Sequence, residues 1–260
     1  RVGYPAWIKA AYSTAGRGVK RVGTHAEAAS AWRALGADGA AVMVQAPARG
    51  AYRQVAALFD RGRLIAAACS ERIGLGVGGS AAARLSVSDT TAVDAVHRLG
   101  RRLSWHGGLT CDYFADDLGR NRFIECNPST TEPGNAAEAG VNLPLLSIAL
   151  ATGGRLPRTP LIARAGVRTR STVALALGAA ERRGSRRAVL RSLERALRRR
   201  PPLQGSREVL TPVGGDPLSL APALVVVGSL LARPRSVTAL ADSAVSAYAV
   251  TPRIIDRLRS

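Results

Sequence analysis

The residues best placed to do chemistry lie on a segment that is typical of a β-hairpin, Gly108–Pro128. If its turn is symmetric about Leu118 and Gly119, residues equidistant from that point face each other across the two strands. Asp112 then lies opposite Glu125. Asn127 shares their face, because side chains alternate along a strand.

Two carboxylates that face each other across a sheet repel, so the pair is unfavourable unless a cation lies between them. Mg²⁺ is a hard cation that proteins bind through one or two carboxylates together with substrate phosphates. The amide oxygen of Asn127 would complete a set of three oxygen ligands. The alternative is a solvated hairpin face that carries acids. In the same register Cys111 faces Cys126 on the other side, where both are expected to be small core residues.

A second group of residues could bind phosphate. Lys9 lies inside the apolar run Trp7–Ala10, and its compact charge suits phosphate, although an exposed strand lysine is the alternative. Backbone N–H groups of the glycine-rich segment Gly16, Arg17 and Gly18 could wrap phosphates. This segment is neither a P-loop nor a dinucleotide fingerprint, because the Gly-Lys-Ser/Thr ending and the third glycine are missing. Together the two groups indicate nucleotide phosphates and Mg²⁺.

Further motifs lie in order along residues 1–154. With those above, the set is Pro5–Lys9, Gly16–Val19, Val42–Gln45 with Gly50, Asp112, Glu125–Pro128, Gly134–Ala136 and Gly140–Pro144. Their order and spacing resemble the ATP-grasp superfamily, and within it the carbamoyl-phosphate-synthase-like and carboxylate–amine ligase branch. The resemblance implies an α+β chain with the ATP-grasp fold, in which two α+β subdomains with antiparallel sheets clamp ATP.

This resemblance also implies how the nucleotide is held. Lys9 contacts the phosphates of ATP, and the loop Gly16–Gly18 folds over them as a lid. The adenine lies against a hinge that hydrogen-bonds its edge through the backbone, formed by Val44, Gln45, Ala46 and Pro47.

The implied chemistry is that of a ligase. Asp112, Glu125 and Asn127 hold Mg²⁺ or Mn²⁺, and Arg84 faces the transferring phosphoryl or acyl-phosphate group as the catalytic residue. ATP activates a small-molecule carboxylate as an acyl phosphate, which an amine or ammonia then attacks. The protein's work is positioning and charge neutralisation.

Two residues depart from the family pattern. The family usually has a glutamate where this chain has Ala46, and an arginine where it has Ser129. These departures motivate an alternative, a degenerate ATP-grasp module that binds a nucleotide or a partner without catalysis. Because the chain opens with Arg1 and enters a strand-like run almost at once, we expect a fragment that lacks the upstream pre-ATP-grasp region.

The formal net charge is +19, and it is concentrated in the second part of the chain. Residues 1–150 hold 17 basic and 12 acidic residues, whereas residues 151–260 hold 20 basic and 6 acidic ones. All basic residues except Lys9 and Lys20 are arginine. Codon usage in a GC-rich genome explains such an arginine excess, and a polyanion partner is the alternative. Nucleic-acid binding through Arg182–Arg200 is a third hypothesis, disfavoured because no aromatic residues are interleaved for base stacking.

Three cysteines without metal-ligand spacing argue against a disulfide framework and favour a reducing cytoplasm. The longest apolar stretch, Leu218–Ala232, contains Pro222 and Gly228 and is too short to span a bilayer. We interpret it as a buried helix and expect no membrane partner.

The elements that must position these residues are strands and helices mixed with antiparallel hairpins, which predicts an α+β fold. Residues 1–154 form the ATP-grasp domain. Residues 155–260 form a mostly helical, Arg-rich extension. Two roles for it are left open: it closes over the site, or it forms a homodimer. The predicted strands are Tyr4–Ala11, Val19–Val22, Ala40–Gln45, Tyr52–Phe59 and Arg63–Ser70. The predicted helices start at the capping box Thr24–Glu27, at Ser86 or Ser88, at Leu143, at Arg182 and at Ser236.

Overall fold

A computed structural model describes residues 2–11, 18–37, 39, 41–211, 214–239 and 257. The chain divides into two compact units, Arg1–Ala48 with Ser236–Ser260 and, separately, Arg49–Arg235. Strands and helices occur in both, so the predicted α+β class is confirmed. The division into residues 1–154 and 155–260 stays a prediction.

The first unit contains a three-stranded antiparallel sheet in the order β2-β1-β3. Its elements are β1 (Ala6–Ala10), β2 (Val19–Val22), α1 (His25–Gly36) and β3 (Val42–Gln45). The small core of the unit contains alternate residues of β1 and residues that pack from β2 and α1, namely Ala6, Ile8, Val22 and Ala31. The predicted strands of this region are therefore confirmed.

The capping box predicted at the start of α1 is present in a modified form. Thr24 Oγ1 accepts a hydrogen bond from the Glu27 backbone N–H over 3.2 Å. The Glu27 carboxylate accepts from the backbone N–H of Gly23 over 2.7 Å, one residue before the N-cap. The first bond satisfies an N–H group that the helix start leaves without a partner, and the second ties the residue before the N-cap to the first turn.

The described residues of the second unit form an eight-stranded sheet in the order β11-β10-β6-β5-β4-β7-β8, with β9 pairing alongside β5. Its strands are largely antiparallel, and helices cover parts of it. In chain order the elements are β4 (Ala51–Asp60), β5 (Arg63–Leu75), β6 (Ala81–Val87), α2 (Thr90–Arg102), β7 (Gly107–Ala115), β8 (Asn121–Asn127), α3 (Gly134–Glu138), α4 (Leu143–Ala151), β9 (Leu161–Ile162), β10 (Arg168–Arg170), α5 (Thr172–Arg183), α6 (Arg186–Leu197), β11 (Arg207–Glu208) and α7 (Leu220–Ala232).

The two faces of this sheet pack against different helices. Odd-numbered residues of β4, such as Val55 and Phe59, join Ala92 and Val96 of α2 in one core cluster. The even-numbered residues Ala56 and Leu58 lie in a second cluster with residues of α3 and α4. Nearer its start, β4 carries Tyr52 and Gln54 on this second face, where the apolar cluster gives way to polar side chains.

The helix predicted to begin at Ser86 or Ser88 starts later. Ser86 lies in β6, and Asp89 caps α2 by accepting from the Ala92 backbone N–H over 3.0 Å. The run Ala81–Val87 opens with three alanines and alternates polar and apolar residues only from Arg84, too short a pattern to separate a strand from a helix start.

Two predictions about the C-terminal region are also wrong. The single helix Arg182–Arg200 is interrupted, because Gly184 ends α5 in the left-handed conformation and Ser185 caps α6. The helix α7 is not buried, since Leu224 and Val225 are exposed and only Leu230 of its residues is fully covered. The predicted helix from Ser236 lies mostly outside the described residues. No helix in the described part of the chain combines the length and hydropathy needed to cross a membrane.

Candidate functional site

The predicted register of the β7–β8 hairpin is confirmed around the two acids. Asp112 pairs with Glu125, and Thr110 pairs with Asn127, so the three predicted metal ligands lie on one face of adjacent strands. A β-bulge follows Asp112 and shifts the pairing by one residue, which places Tyr113 opposite Phe123. The symmetric-turn assumption therefore holds at the acids and fails nearer the turn.

Asp112 is a buried acid whose charge is only partly compensated. One of its carboxylate oxygens, Oδ1, is buried without a hydrogen-bond partner in the described structure. Burial raises the pKa of Asp112, and the negative charge of Glu125 raises it further. Hydrogen bonds with Tyr52 and Gln54 act in the opposite direction, as does the positive charge of Arg84. The carboxyl group is thus held in a place where a cation would favour its ionised form.

The other two predicted ligands are more accessible. Glu125 is exposed and Asn127 is half-buried, both on β8 at the edge of the sheet. In the described part of the chain, no group of three or more His, Cys, Asp and Glu side chains could hold a metal ion. The set around Asp112 differs from such a group in having two carboxylates and one amide.

Arg84, the predicted catalytic residue, is buried on β6. Its Nε donates to Glu132 Oε2 over 2.9 Å, and its Nη1 donates to Ser70 Oγ over 3.1 Å. A second guanidinium nitrogen also contacts the Glu132 carboxylate. Arg84 pairs directly with Arg72 of β5, so two like charges lie side by side on the sheet.

Several polar residues that the sequence analysis did not single out share this sheet face. Gln54 pairs with both Ser70 and Asp112 in neighbouring strands, and paired residues point to the same side. Its amide also donates to Thr131 Oγ1 over 2.9 Å. We call the whole set the polar face, and its members are Tyr52, Gln54, Ser70, Arg72, Arg84, Asp112, Glu125 and Asn127.

No polar–apolar alternation marks these residues in the sequence, because the charged residues Arg53 and Glu71 stand between them. The Arg72 guanidinium lies over the Tyr52 ring, with its carbon 4.4 Å from the ring centroid. Burial raises the pKa of Tyr52, and so does its contact with Asp112. The phenol therefore stays protonated and can donate to the carboxylate.

The predicted nucleotide-binding residues belong to the first unit. Lys9 lies in the central strand β1, paired with Val19 on one side and Met43 on the other. The backbone carbonyl of Gly18 accepts a hydrogen bond from Ala10 N–H over 2.8 Å. Gly16 and Arg17 lie outside the described residues.

The predicted hinge is strand β3 and the residues after it. Val44 pairs with Ile8 and is exposed, and Gln45 pairs with Trp7 and is half-buried. Ala46 and Pro47 follow the strand and are exposed. These roles in binding ATP stay predictions.

No protein-family model matches the sequence, and no curated protein matches it either. Solved structures do share its fold. One is the biotin carboxylase domain dimer of 2-oxoglutarate carboxylase from Hydrogenobacter thermophilus, in complex with MgADP, ADP and bicarbonate. That domain is 18% identical, with a TM-score of 0.51 over 64% of this chain and 40% of its own.

A second structure of this fold is the ADP complex of an N5-carboxyaminoimidazole ribonucleotide synthetase. It is 17% identical, with a TM-score of 0.50 over 62% of this chain and 44% of its own. The chain thus spans less than half the length of these two structures. The similarity confirms the fold that the sequence motifs predicted.

Proposed function

Because the chain has the ATP-grasp fold, we propose that it is the catalytic part of an ATP-dependent ligase. The ligase activates a small-molecule carboxylate as an acyl phosphate, which an amine or ammonia attacks to form a C–N bond. The observation that carries the proposal is the pairing of buried Asp112 with Glu125, since opposed carboxylates need a cation between them.

The polar face fits a hard divalent cation, Mg²⁺ or Mn²⁺. Carboxylate and amide oxygens are the donors that such ions prefer, and Asp112, Glu125 and Asn127 supply them from paired strands. The Asp112 oxygen that lacks a partner in the described structure offers a further reason for a cation there. Bound Mg²⁺ would neutralise charge on the triphosphate during phosphoryl transfer.

Residues of the first unit would hold the nucleotide. Lys9 would bind phosphate oxygens as a compact positive charge. The loop Gly16–Gly18 would close over the phosphates and exclude water, which protects an acyl phosphate from hydrolysis. The segment Val44–Pro47 would hydrogen-bond the adenine edge through its backbone.

Arg84 and Arg72 would stabilise the acyl phosphate. Two arginines opposed across neighbouring strands repel, and the Glu132 carboxylate contacts Arg84, so a bound acyl phosphate would offset the charge that remains. A guanidinium has five N–H donors, and Arg84 uses three of them in its hydrogen bonds to Glu132 and Ser70. Two donors remain for a ligand. The resembled family has an arginine at the position of Ser129. Arg72 would supply the positive charge that Ser129 lacks.

The proposed reaction has two steps. A carboxylate oxygen takes the γ-phosphoryl group of ATP and ADP leaves. The nitrogen of the amine then attacks the acyl carbon, and phosphate leaves as the nitrogen loses a proton. The chain's residues contribute by orienting the reactants and by compensating charge on the transferring group.

Isothermal titration with ATP, with and without Mg²⁺, tests the proposal. Glu125→Gln keeps the size of the exposed side chain and removes its charge, so Mg²⁺-dependent ATP binding should be lost. The matched control is Asp117→Asn, which removes an exposed acid from the same hairpin but outside the polar face. Unchanged Mg·ATP affinity in Glu125→Gln would sink the assignment of the metal site.

A degenerate module that binds nucleotide without catalysis is the second candidate function. It is favoured by Ala46 and Ser129, which stand where the resembled family has a glutamate and an arginine. Phosphate release separates the two candidates. A ligase releases phosphate from ATP when a carboxylate and an amine are supplied together, whereas the degenerate module binds Mg·ATP and releases none.

A further inference from the structure

Two cysteines lie directly opposite each other on the sheet face that α2 covers. Cys111 of β7 pairs with Cys126 of β8, and their sulfur atoms are 3.5 Å apart. Opposed residues in an antiparallel pair have Cα atoms about 4.5 to 5.5 Å apart, within the range of about 4.4 to 6.8 Å that a disulfide spans. The backbone positions of Cys111 and Cys126 therefore already suit a disulfide, and only the two sulfur atoms must move closer together.

The two thiols differ in their access to solvent. Cys126 is exposed on the edge strand, whereas Cys111 is buried. Both line an open cavity of about 400 Å³ together with Phe123 of β8 and Leu99 of α2. A small oxidant can enter this cavity, and Cys126 is the thiol it meets first.

The third cysteine provides an internal comparison. Cys69 is buried on β5 and pairs with Val55 of β4, which in turn pairs with Cys111. Two strand spacings, each about 4.8 Å, therefore separate Cys69 from Cys111. This distance exceeds what a disulfide spans, so Cys69 has no thiol within reach.

We propose that Cys111 and Cys126 form a peroxide-sensitive dithiol, a modification site that converts reversibly to an intramolecular disulfide. The Cys126 sulfur attacks one oxygen of hydrogen peroxide, the O–O bond breaks, and the other oxygen leaves as water with the thiol proton, which gives a sulfenic acid. The Cys111 sulfur then attacks the Cys126 sulfur, the S–O bond breaks, and the hydroxyl group leaves with the Cys111 proton as a second water. Two thiols are oxidised while one peroxide is reduced to two waters. This inference does not depend on the proposed ligase activity.

Peptide mapping tests the proposal directly. The protein is treated with hydrogen peroxide, its remaining thiols are alkylated, and it is digested with trypsin without reduction. Trypsin separates the cysteines into peptides 103–120, 123–155 and 64–72. We expect 103–120 linked to 123–155, with the loss of two hydrogen atoms, and 64–72 alkylated at Cys69. A thiol reductant should release the linked pair.

Other outcomes overturn the proposal. These are oxidation of Cys126 to sulfinic or sulfonic acid while Cys111 stays alkylatable, a dimer linked through Cys126, and full alkylation of all three cysteines. Cys126→Ser should abolish the linked peptide and leave Cys111 reduced. Because this change is on an exposed side chain, the variant should fold. If Cys111 is oxidised equally fast in Cys126→Ser, the order of attack is wrong.

Discussion

The guanidinium carbon of Arg72 lies 4.4 Å from the centre of the Tyr52 ring, while burial and the neighbouring carboxyl group of Asp112 raise the pKa of the Tyr52 phenol. The aromatic ring thus separates a positive group from a negative one on the polar face. The flat side of the Tyr52 ring contacts the Arg72 guanidinium, an arrangement that the ring quadrupole favours, and its hydroxyl lies towards the Asp112 carboxyl group. Tyr52 therefore positions both groups, although it has no ionised form of its own near neutral pH.

Tyr52→Phe tests this positioning role. The hydrogen bond from Tyr52 lowers the pKa of Asp112, so its loss raises that pKa and disfavours the ionised form that a cation needs. A hydrogen bond to a charged group is worth about 1.5 kcal/mol or more, so Mg·ATP affinity should fall about tenfold. The loss of Mg·ATP affinity in Tyr52→Phe should become smaller as pH rises, because higher pH ionises Asp112 in the variant as well. Titrations at acidic and alkaline pH measure both effects.

The matched control for Tyr52→Phe is Tyr113→Phe. The Tyr113 hydroxyl donates to Asp89 over 2.9 Å on the opposite face of the same sheet. This variant should lose stability without a change in Mg·ATP affinity. Equal affinity losses in the two variants would mean that the effect comes from general destabilisation of the sheet.

Asp112→Asn should stabilise the protein in the absence of metal. The pKa of Asp112 is raised in the folded state, so the folded state binds more protons than the unfolded state between the usual Asp pKa and the raised one. The wild type therefore loses unfolding free energy as pH rises through that window, and the variant does not. Relief of cross-strand repulsion contributes about 0.2 to 1 kcal/mol at neutral pH.

Urea denaturation in the presence of a metal chelator measures this difference in unfolding free energy. The gap between Asp112→Asn and the wild type should widen from acidic to neutral pH, while Asp117→Asn follows the wild type throughout. A variant that is less stable than the wild type at neutral pH would show that the ionised Asp112 is already compensated in the metal-free protein.

The sequence predicted the acids because a hairpin is local. Asp112 and Glu125 are joined by a short turn, so their register followed from turn symmetry, up to the bulge. Tyr52 and Gln54 were missed because β4 pairs with β7, more than fifty residues away along the chain. The order of non-consecutive strands is not encoded in local periodicity, whereas the positions of most individual strands are.

The predictions of helix boundaries were wrong for a different reason. Ser86 and Ser88 both resemble N-caps, yet the bond that caps α2 comes from Asp89. Farther along the chain, Gly184 ends α5 and Ser185 caps α6. These two signals were overlooked because the arginines on both sides suggested one continuous helix. Where several residues of capping type occur together, only the tertiary packing selects one.

Arg72→Met tests the arginine pair of the polar face. The variant keeps a long apolar side chain but loses the charge that we propose contacts the acyl phosphate. Acetyl phosphate is a suitable probe, titrated in the presence of Mg·ADP. Its affinity should fall about tenfold, since a hydrogen bond to a charged group contributes about 1.5 kcal/mol or more.

Arg63→Met is the control for Arg72→Met, because Arg63 lies exposed at the far end of the same strand, bonded to the Pro157 carbonyl. It should bind acetyl phosphate as the wild type does. An unchanged affinity in Arg72→Met would remove Arg72 from the site, and Arg84 would then have to be tested by itself.

Two helix glycines should respond to alanine in opposite directions, which tests how α2 packs on the sheet. A Cβ at Gly100 would lie 2.3 Å from the ring of buried Phe59, so Gly100→Ala should cost about 1 to 3 kcal/mol through overpacking. A Cβ at Gly228 of α7 meets nothing within 4 Å, so Gly228→Ala should gain about 0.5 to 1 kcal/mol through reduced chain entropy. Urea unfolding measures both changes. A neutral Gly100→Ala would mean that α2 stands farther from β4 than the Phe59 contact requires.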